Sequence, residues 1–162
     1  MEIERKFTVR KLPENLDSYP CHLIEQAYLN TDPVIRVRRQ DDEFYMTYKG
    51  KGLLMREEYN LPLNEASYYH LREKADGNII SKKRYIIPIK DSSLCVELDI
   101  FDKPFAPLII AEVEFPDKET AEAFVIDKAL ADKTGNDALA GVGVDSPTAQ
   151  LVAHLASGVL AA

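Results

Sequence analysis

Charged and apolar residues alternate along several short segments of the chain, and this two-residue period is the feature that most limits its fold. In the first segment, Glu2, Glu4 and Lys6 alternate with Ile3 and Arg5. Successive side chains of a β-strand point to opposite faces of the sheet, so one face of this strand is almost entirely charged. The pattern returns in later segments with both signs of charge. The chain is therefore predicted to build a sheet with one charged and one apolar face.

Eight such segments are predicted to be antiparallel strands, because turn residues such as Asp, Asn, Gly and Pro separate them at short intervals. The segments are 2–9, 22–29, 34–39, 44–49, 54–61, 79–87, 94–101 and 108–115. Few connections are long enough for the crossover that parallel strands need. We therefore predict an α+β fold: an eight-stranded antiparallel β-barrel or strongly curled sheet, forming a single domain over residues 1–162.

Three stretches have the residue spacing of amphipathic helices. Asn64 is placed to cap the first, which is predicted to extend to about residue 75. Its predicted buried positions are Ala66, Tyr69, Leu71 and Ala75. Asp117 is placed to cap the second, predicted to extend to about residue 130, and a third helix is predicted at about 147–160.

The charged face of the sheet can point either outward or into the barrel. In the first orientation, the apolar face fills the barrel and the charges form a solvated coat. In the other, the apolar face points outward under the helices and the charges line a lumen. Amphipathic helices need an apolar surface to pack on, and the uncharged side of the strands is the only large one available. The second orientation, a tunnel with a charged lumen and helices outside, is therefore favoured.

Composition limits the classes of partner. Acidic residues outnumber basic ones by 27 to 20, giving a net charge of -7, which argues against general binding to nucleic acid or to an anionic membrane. No run of about 18 apolar residues is present to span a bilayer. The N-terminal residues are charged where a secretory signal would be apolar, so we expect a cytoplasmic protein. Cys21 and Cys95 match neither a zinc site nor a redox pair.

A lumen lined with charge would suit a polyanion bound together with divalent cations. Arginine and lysine bind phosphate oxygens, and carboxylates bind hard cations, so Mg²⁺ or Mn²⁺ is the expected cofactor. The chain lacks the His and Cys cluster that zinc prefers. It also lacks a Walker-type loop, because Tyr48-Lys49-Gly50-Lys51-Gly52 has neither the spacing nor the Ser or Thr.

The first predicted strand contains Glu2-Ile3-Glu4-Arg5-Lys6, which has the pattern E-x-E-x-K. This pattern is the signature of the CYTH superfamily, also called the triphosphate tunnel metalloenzymes, and the sequence resembles that family. The resemblance continues in order across about residues 1–135, and its further segments are Tyr28-Leu29, Val34-Ile35-Arg36-Val37-Arg38, Tyr48-Lys49-Gly50, Glu58-Tyr59, Leu61-Pro62, Lys82-Lys83-Arg84-Tyr85, Val96-Glu97-Leu98-Asp99 and Ile110-Ala111-Glu112-Val113-Glu114.

The resemblance implies a role for most of the charged face. The implied metal ligands are Glu2, Glu4, Glu112 and Glu114, with Glu58 and Glu97 as further candidates. The implied triphosphate-binding residues are Lys6, Arg36, Arg38, Lys49, Arg56, Lys82 and Arg84. Asp99 shares the face of Glu97. Glu4, Glu58 and Glu114 are candidates to orient the attacking water, and Lys6 to stabilise the transferred phosphoryl group.

Within the family the chain most resembles the short bacterial inorganic triphosphatases. The implied reaction is metal-dependent hydrolysis of tripolyphosphate to pyrophosphate and phosphate. Hydrolysis of a nucleoside or thiamine triphosphate, class IV adenylate cyclase activity, and polyphosphate binding without turnover are the alternatives. The tail departs from the family pattern after Gly135, so the segment 147–160 is expected either to close one mouth of the tunnel or to pack on a second subunit in a homodimer.

Overall fold

Strands account for most of the regular structure, and they begin and end close to the predicted positions. The computed structural model describes residues 1–9, 12–51, 55–124 and 139–140, with backbone alone at 8, 55, 56, 139 and 140. The strands are β1 (Glu2–Val9), β2 (Cys21–Thr31), β3 (Val34–Gln40), β4 (Glu43–Lys49), β5 (Met55–Arg56), β6 (Glu58–Pro62), β7 (Ile80–Pro88), β8 (Cys95–Phe101), β9 (Ile109–Glu114) and β10 (Leu139–Ala140). A single 3₁₀ turn, Leu16–Ser18, lies between β1 and β2.

The strands form one strongly curled antiparallel sheet. Its order is β10-β1-β9-β8-β7-β2-β3-β4-β6. The end of the sheet at β6 is joined back to the first strand, because β5, which directly precedes β6 in the chain, pairs with β1 through Glu2–Arg56 and Ile3–Met55. With β5 and β6 counted as one strand and the two-residue β10 set aside, the sheet has the eight strands that the alternation predicts.

The predicted fifth strand is divided at Glu57. The β6 part pairs with β4 from Lys49–Glu58 to Tyr45–Pro62, whereas the β5 part pairs with β1. The carbonyl of Glu57 accepts a hydrogen bond from the amide of Gly50 at 2.9 Å, which holds the break against the end of β4. The strand extends one residue beyond the predicted segment 54–61, to Pro62, a position that proline tolerates at a sheet edge. The division lets one segment join the two ends of the curl.

The apolar face of the sheet points outward and carries the main core. This core contains Ile3, Phe7, Tyr85, Ile87, Val96, Leu98, Ala111, Val113, Phe115 and Ala121. The inner face carries the charged residues of the same strands, several of them buried. The prediction of a charged lumen with helices outside is therefore confirmed.

Helix α1 (Glu65–Arg72) packs on the outer face of β2, β3 and β4. Its cap is the predicted one, since the side chain of Asn64 accepts a hydrogen bond from the amide of Ser67 at 2.8 Å. Its anchor is different. Tyr68 is completely buried against Ala27 and Val37, whereas the predicted positions Ala66 and Tyr69 are exposed and Leu71 and Ala75 are only partly buried. The helix ends at Arg72, three residues before the predicted end, and Tyr68 is its one fully buried residue.

Replacing Tyr68 by Ala is expected to lower the free energy of unfolding by about 3–5 kcal/mol, because the substitution leaves a large cavity between helix and sheet. Tyr69→Ala is the matched control. Its side chain is 37% exposed, so a loss below about 1 kcal/mol is expected. Urea unfolding of both variants measures the difference, and equal losses would contradict Tyr68 as the anchor.

Helix α2 (Lys118–Ala123) covers β1, and its cap at Asp117 is as predicted, the side chain accepting from the amide of Thr120 at 2.7 Å. Arg5, on the outer face of β1, donates to the carbonyls of Ala121 and Phe124, each at 2.8 Å. The helix ends at Ala123 because the backbone of Phe124 is extended, and the rest of the predicted helix, residues 125–130, lies outside the described residues. The predicted helix at 147–160 lies outside the described residues. Neither helix, nor any other in the described part of the chain, is long and apolar enough to cross a membrane.

Candidate active site

The curled sheet encloses a cavity of about 320 Å³. Its wall is built from the inward positions of the strands, and the charged lining residues are Glu2, Glu4, Lys6, Arg36, Arg38, Lys49, Glu58, Lys82, Arg84, Glu97, Glu112 and Glu114. The structure thus brings together every predicted site residue except Arg56, of which only the backbone is described, opposite Glu2 in the register. Their roles remain predictions.

Strand register sets which charges become neighbours. Lys6 lies opposite Glu112, Glu4 opposite Glu114, and Arg84 opposite Asp99. Directly opposed residues in an antiparallel pair have Cβ atoms about 5 Å apart, so long charged side chains on one face make contact. The alternation within each strand and the pairing between strands together produce the charged lumen.

Arg84 is the centre of the most tightly paired group. Its Nε donates to Oδ1 of Asp99 and its Nη2 to Oδ2, both at 2.7 Å, and Nη2 also contacts Glu112 at 2.7 Å. Glu97 contacts Nη1 of the same guanidinium, and Lys82 contacts Asp99. Burial opposes the charge on Arg84, but these carboxylates outweigh it and raise the pKa of Arg84. Asp99, fully buried, therefore holds the site together, a role that the sequence analysis did not assign to it.

Two lysines are paired in the same way. Nζ of Lys49 lies 2.7 Å from a carboxylate oxygen of Glu2 and 2.7 Å from one of Glu58. Nζ of Lys6 lies 3.0 Å from Glu4 and also contacts Glu112. Burial would raise the pKa of Glu58, but hydrogen bonds from its neighbours, Lys49 among them, lower it to about 2. Burial likewise disfavours ionised Glu112, yet Lys6 and Arg84 hold its pKa well below the usual range. Both carboxyl groups are ionised at neutral pH.

Arg36 and Arg38 have neutral partners instead. Oε1 of Gln26 accepts from Nε of Arg38 at 3.1 Å and from Nη2 at 2.9 Å, and Tyr45 lies 3.4 Å from Nη1. Arg36 hydrogen-bonds Tyr28, while its Nε is buried without an acceptor in the described part of the chain. Burial and the neighbouring Arg36 lower the pKa of Arg38. These two arginines are the lumen charges that no carboxylate of the described residues neutralises.

Sequence reasoning missed Gln26 and Tyr28 as part of the site. A signal was present, because both alternate on β2 in the register of the inner face. Gln26 lies opposite Arg38, and Tyr28 lies opposite Arg36. A neutral side chain opposite an arginine on a charged face leaves that arginine without an opposite charge at its register position.

Carboxylates concentrate near one mouth of the lumen. Glu114 is exposed there, and Glu97 is 34% exposed. Burial and then the charges of Glu2, Glu97, Glu58 and Glu4 raise the pKa of Glu114. Burial also raises the pKa of Glu97, although Arg84 lies beside it. Mutual repulsion of this kind is what a bound cation would relieve.

The donor set at this mouth suits a hard divalent cation, since it consists of carboxylate oxygens. Within residues 1–9, 12–51 and 55–124, no group of three or more His, Cys, Asp or Glu side chains is arranged to hold a metal ion unaided. A cation here would therefore need oxygen ligands from a bound anion or from water as well. The orphaned Nε of Arg36 is a corresponding vacant donor for an anionic oxygen.

The fold and its interior define a class: an antiparallel tunnel whose lining brings arginine and lysine together with a group of carboxylates. The family model of the CYTH domain matches residues 1–134 of the sequence. The chain belongs to the CYTH family, whose triphosphatases are generally metal-dependent. The resemblance of the sequence to this family is confirmed.

Individual relatives agree with the family assignment. The chain is 37% identical over 128 residues to an inorganic triphosphatase of Nitrosomonas europaea. The aligned region covers 76% of this chain and 82% of that protein. A crystal structure of an inorganic triphosphatase is 32% identical, with a TM-score of 0.56 over 77% of this chain and 80% of the other. A structure from Pyrococcus horikoshii, 20% identical with a TM-score of 0.56 over 90% and 98%, supports the fold alone.

Proposed function

We propose that the protein is a metal-dependent inorganic triphosphatase, hydrolysing tripolyphosphate to pyrophosphate and phosphate with Mg²⁺ or Mn²⁺. The observation that carries this proposal is the division of charge in the lumen. Arg36 and Arg38 are hydrogen-bonded by neutral side chains, so no carboxylate of the described residues neutralises them. They share one cavity with a group of mutually repelling carboxylates. Homology to an inorganic triphosphatase gives the substrate class.

The protein's own groups divide between holding the anion and placing the water. Arg36 and Arg38 offer donors to phosphate oxygens, and planar guanidinium groups suit two such contacts each. Arg84 is fixed by Asp99 and its pKa is raised, so it presents positive charge at a defined place. Lys82 contacts the same carboxylate, but burial lowers its pKa to about 7, so it is only partly charged at neutral pH. Glu4, Glu58 and Glu114 line the lumen, and any of them would accept a hydrogen bond from an attacking water.

The residues that would hold the cofactor are Glu2, Glu4, Glu58, Glu97, Glu112 and Glu114. When bound, a divalent cation supplies charge stabilisation at the phosphoryl oxygens. Glu2 and Glu58 contact Lys49, Glu4 contacts Lys6, and Glu112 contacts Lys6 and Arg84, so a bound cation would compete with these basic groups, whereas Glu114 is exposed at the mouth. Retention of all these carboxylates also separates an enzyme from a simple polyphosphate-binding module, which would gain nothing from them.

A phosphate-release assay tests the proposal directly. Tripolyphosphate, ATP and thiamine triphosphate are compared with Mg²⁺ and with Mn²⁺, and we expect the highest kcat/KM with tripolyphosphate and no turnover in EDTA. Cyclic AMP formation from ATP would instead indicate a cyclase. Tight tripolyphosphate binding without phosphate release under any metal would indicate the binding module.

Activity is expected to fall steeply on the acid side. A carboxyl group must lose its proton to hold a cation, and the pKa values of Glu114 and Glu97 are raised. Activity is therefore lost as the pH falls through these raised values, above the ordinary glutamate value of 4.5. Glu114→Gln removes one of these titrations. The acid limb of the pH profile of its remaining activity should therefore lie at lower pH than that of the wild type.

The measurement is kcat/KM against pH at one fixed Mg²⁺ concentration below saturation, because saturating Mg²⁺ would displace the protons from the carboxylates. Titration of the substrate itself is common to both proteins and cancels in the comparison. Superimposable acid limbs for the wild type and Glu114→Gln would contradict the assignment of Glu114 to the cation site.

A further inference from the structure

One end of the lumen is lined by apolar side chains. They belong to a single cluster of inward-facing residues, here called the apolar floor: Tyr28, Val34, Ile80, Phe101 and Ile110. The strands that carry them, β3, β2, β7, β8 and β9, are consecutive in the strand order and alternate in direction. Each floor residue lies at or near the strand end on the same edge of the sheet. The floor is therefore a continuous apolar band around about half of the wall at one end of the lumen.

A turn supports the floor from behind. Phe105 and Leu108 pack against it from the connection between β8 and β9. The connection is held by its own backbone hydrogen bonds, from Phe105 to Asp102 at 3.0 Å and from Leu108 to Phe105 at 3.0 Å. It is also tied to β7, since the amide of Asp102 donates to the carbonyl of Ser81 at 2.9 Å. The floor is thus braced.

Positive charge lies directly beside the floor. Tyr28, a floor residue, hydrogen-bonds Arg36, and Nζ of Lys82 lies 5.3 Å from the ring centroid of Phe101. The exposed carboxylates, by contrast, mark the other end: Glu114 is exposed and Glu97 is 34% exposed. The lumen is therefore a pocket with carboxylates at its open end and basic residues at the other end, beside the apolar floor.

We propose that the apolar floor is a stop that seats a free terminal phosphate and so fixes which anhydride bond is cleaved. A phosphate group cannot advance into hydrocarbon, because burying its charge without partners is too costly. A linear polyphosphate therefore enters end first, and its terminal phosphate stops beside Arg36 and Lys82. The distance from floor to carboxylates then selects the bond. This inference rests on the proposed triphosphatase function.

Tetrapolyphosphate reveals this selection, whereas both bonds of tripolyphosphate give the same products. Attack of water on an outer bond forms one new P–O bond and breaks the bridging P–O bond, giving phosphate and tripolyphosphate. The same step at the central bond gives two pyrophosphates. In each case the protons of the water end on the product phosphates or in solvent, and no other reactant is needed. A shift by one phosphate exchanges one product pair for the other.

The experiment is analysis of the initial products from tetrapolyphosphate by ion chromatography, with tripolyphosphate hydrolysis measured in parallel. The wild type should give one product pair in roughly tenfold excess over the other. Ile110→Ala and Phe101→Ala deepen the pocket, so the ratio should move toward equal amounts in each. Ile87→Ala is the matched control, because Ile87 is equally buried but faces the outer core, and its ratio should equal that of the wild type.

Two results would overturn the proposal while leaving triphosphatase activity intact. Mixed products from the wild type would mean that the chain slides freely, and an unchanged ratio in both floor variants would mean that another contact sets the position. If Ile87→Ala changed the product ratio as much as the floor variants do, the change would come from loosening of the whole fold and not from the floor. Failure to hydrolyse tripolyphosphate at all would remove the proposed function and, with it, this inference.

Discussion

Replacing Glu4 by Gln is expected to lower kcat for tripolyphosphate hydrolysis by about a thousandfold with little change in stability. Glu4 faces the lumen, is 9% exposed and lies in the carboxylate group around Glu114. The amide has the same shape and its oxygen still accepts from Lys6, 3.0 Å away in the wild type, so the fold is kept. It lacks the negative charge, and the charge stabilisation that a cation supplies is worth several kcal/mol.

The measurement is steady-state turnover across a range of Mg²⁺ concentrations, with thermal unfolding to check the fold. Glu122→Gln, an exposed residue of α2, loses the same charge away from the lumen and should match the wild type. Undiminished turnover by Glu4→Gln would remove Glu4 from the cation site and weaken the metal assignment as a whole.

Arg36→Met is expected to raise the stability of the free protein while lowering kcat/KM for tripolyphosphate by roughly 10–100-fold. The buried Nε of Arg36 has no acceptor within the described residues, and such a group costs about 1–3 kcal/mol. Its charge also opposes that of Arg38. A hydrogen bond to a charged ligand is worth about 1.5–3 kcal/mol, and the variant loses it.

Arg84→Met is the contrasting variant, since Arg84 is equally buried but contacts Asp99, Glu97 and Glu112. Removing one partner of a buried ionic group costs about 3–5 kcal/mol, so this variant should be strongly destabilised. Thermal unfolding in EDTA, with and without tripolyphosphate, measures both effects. If Arg36→Met were destabilised as much as Arg84→Met, Arg36 would be a structural residue and not one reserved for a ligand.

The alternation of side chains in the sequence predicted the architecture because two physical constraints act on every strand. Side chains of a strand alternate between faces, and amphipathic helices need an apolar surface, so the charges of β1, β3, β7, β8 and β9 had one interior to share. Helix caps at Asn64 and Asp117 were equally local, and both are confirmed.

Other features depend on pairing between distant segments and were not predictable in this way. The division of the fifth strand at Glu57 follows from where β4 ends and β1 begins. Tyr68, and not Tyr69, anchors α1 because Tyr68 packs against Ala27 and Val37, which belong to strands distant in the sequence. Gln26 and Asp99 gain their importance only from the arginines that the register places opposite or beside them.

The arrangement of strands around the lumen has a consequence for how the two kinds of ligand arrive. Glu112 and Glu114 lie on β9, and Arg36 and Arg38 lie on β3, four places away in the order. The two arginines and the exposed carboxylates are therefore separated around the wall as well as between the two ends of the lumen. An anion and a cation held by these two groups would meet different strands and would not compete for the same side chains.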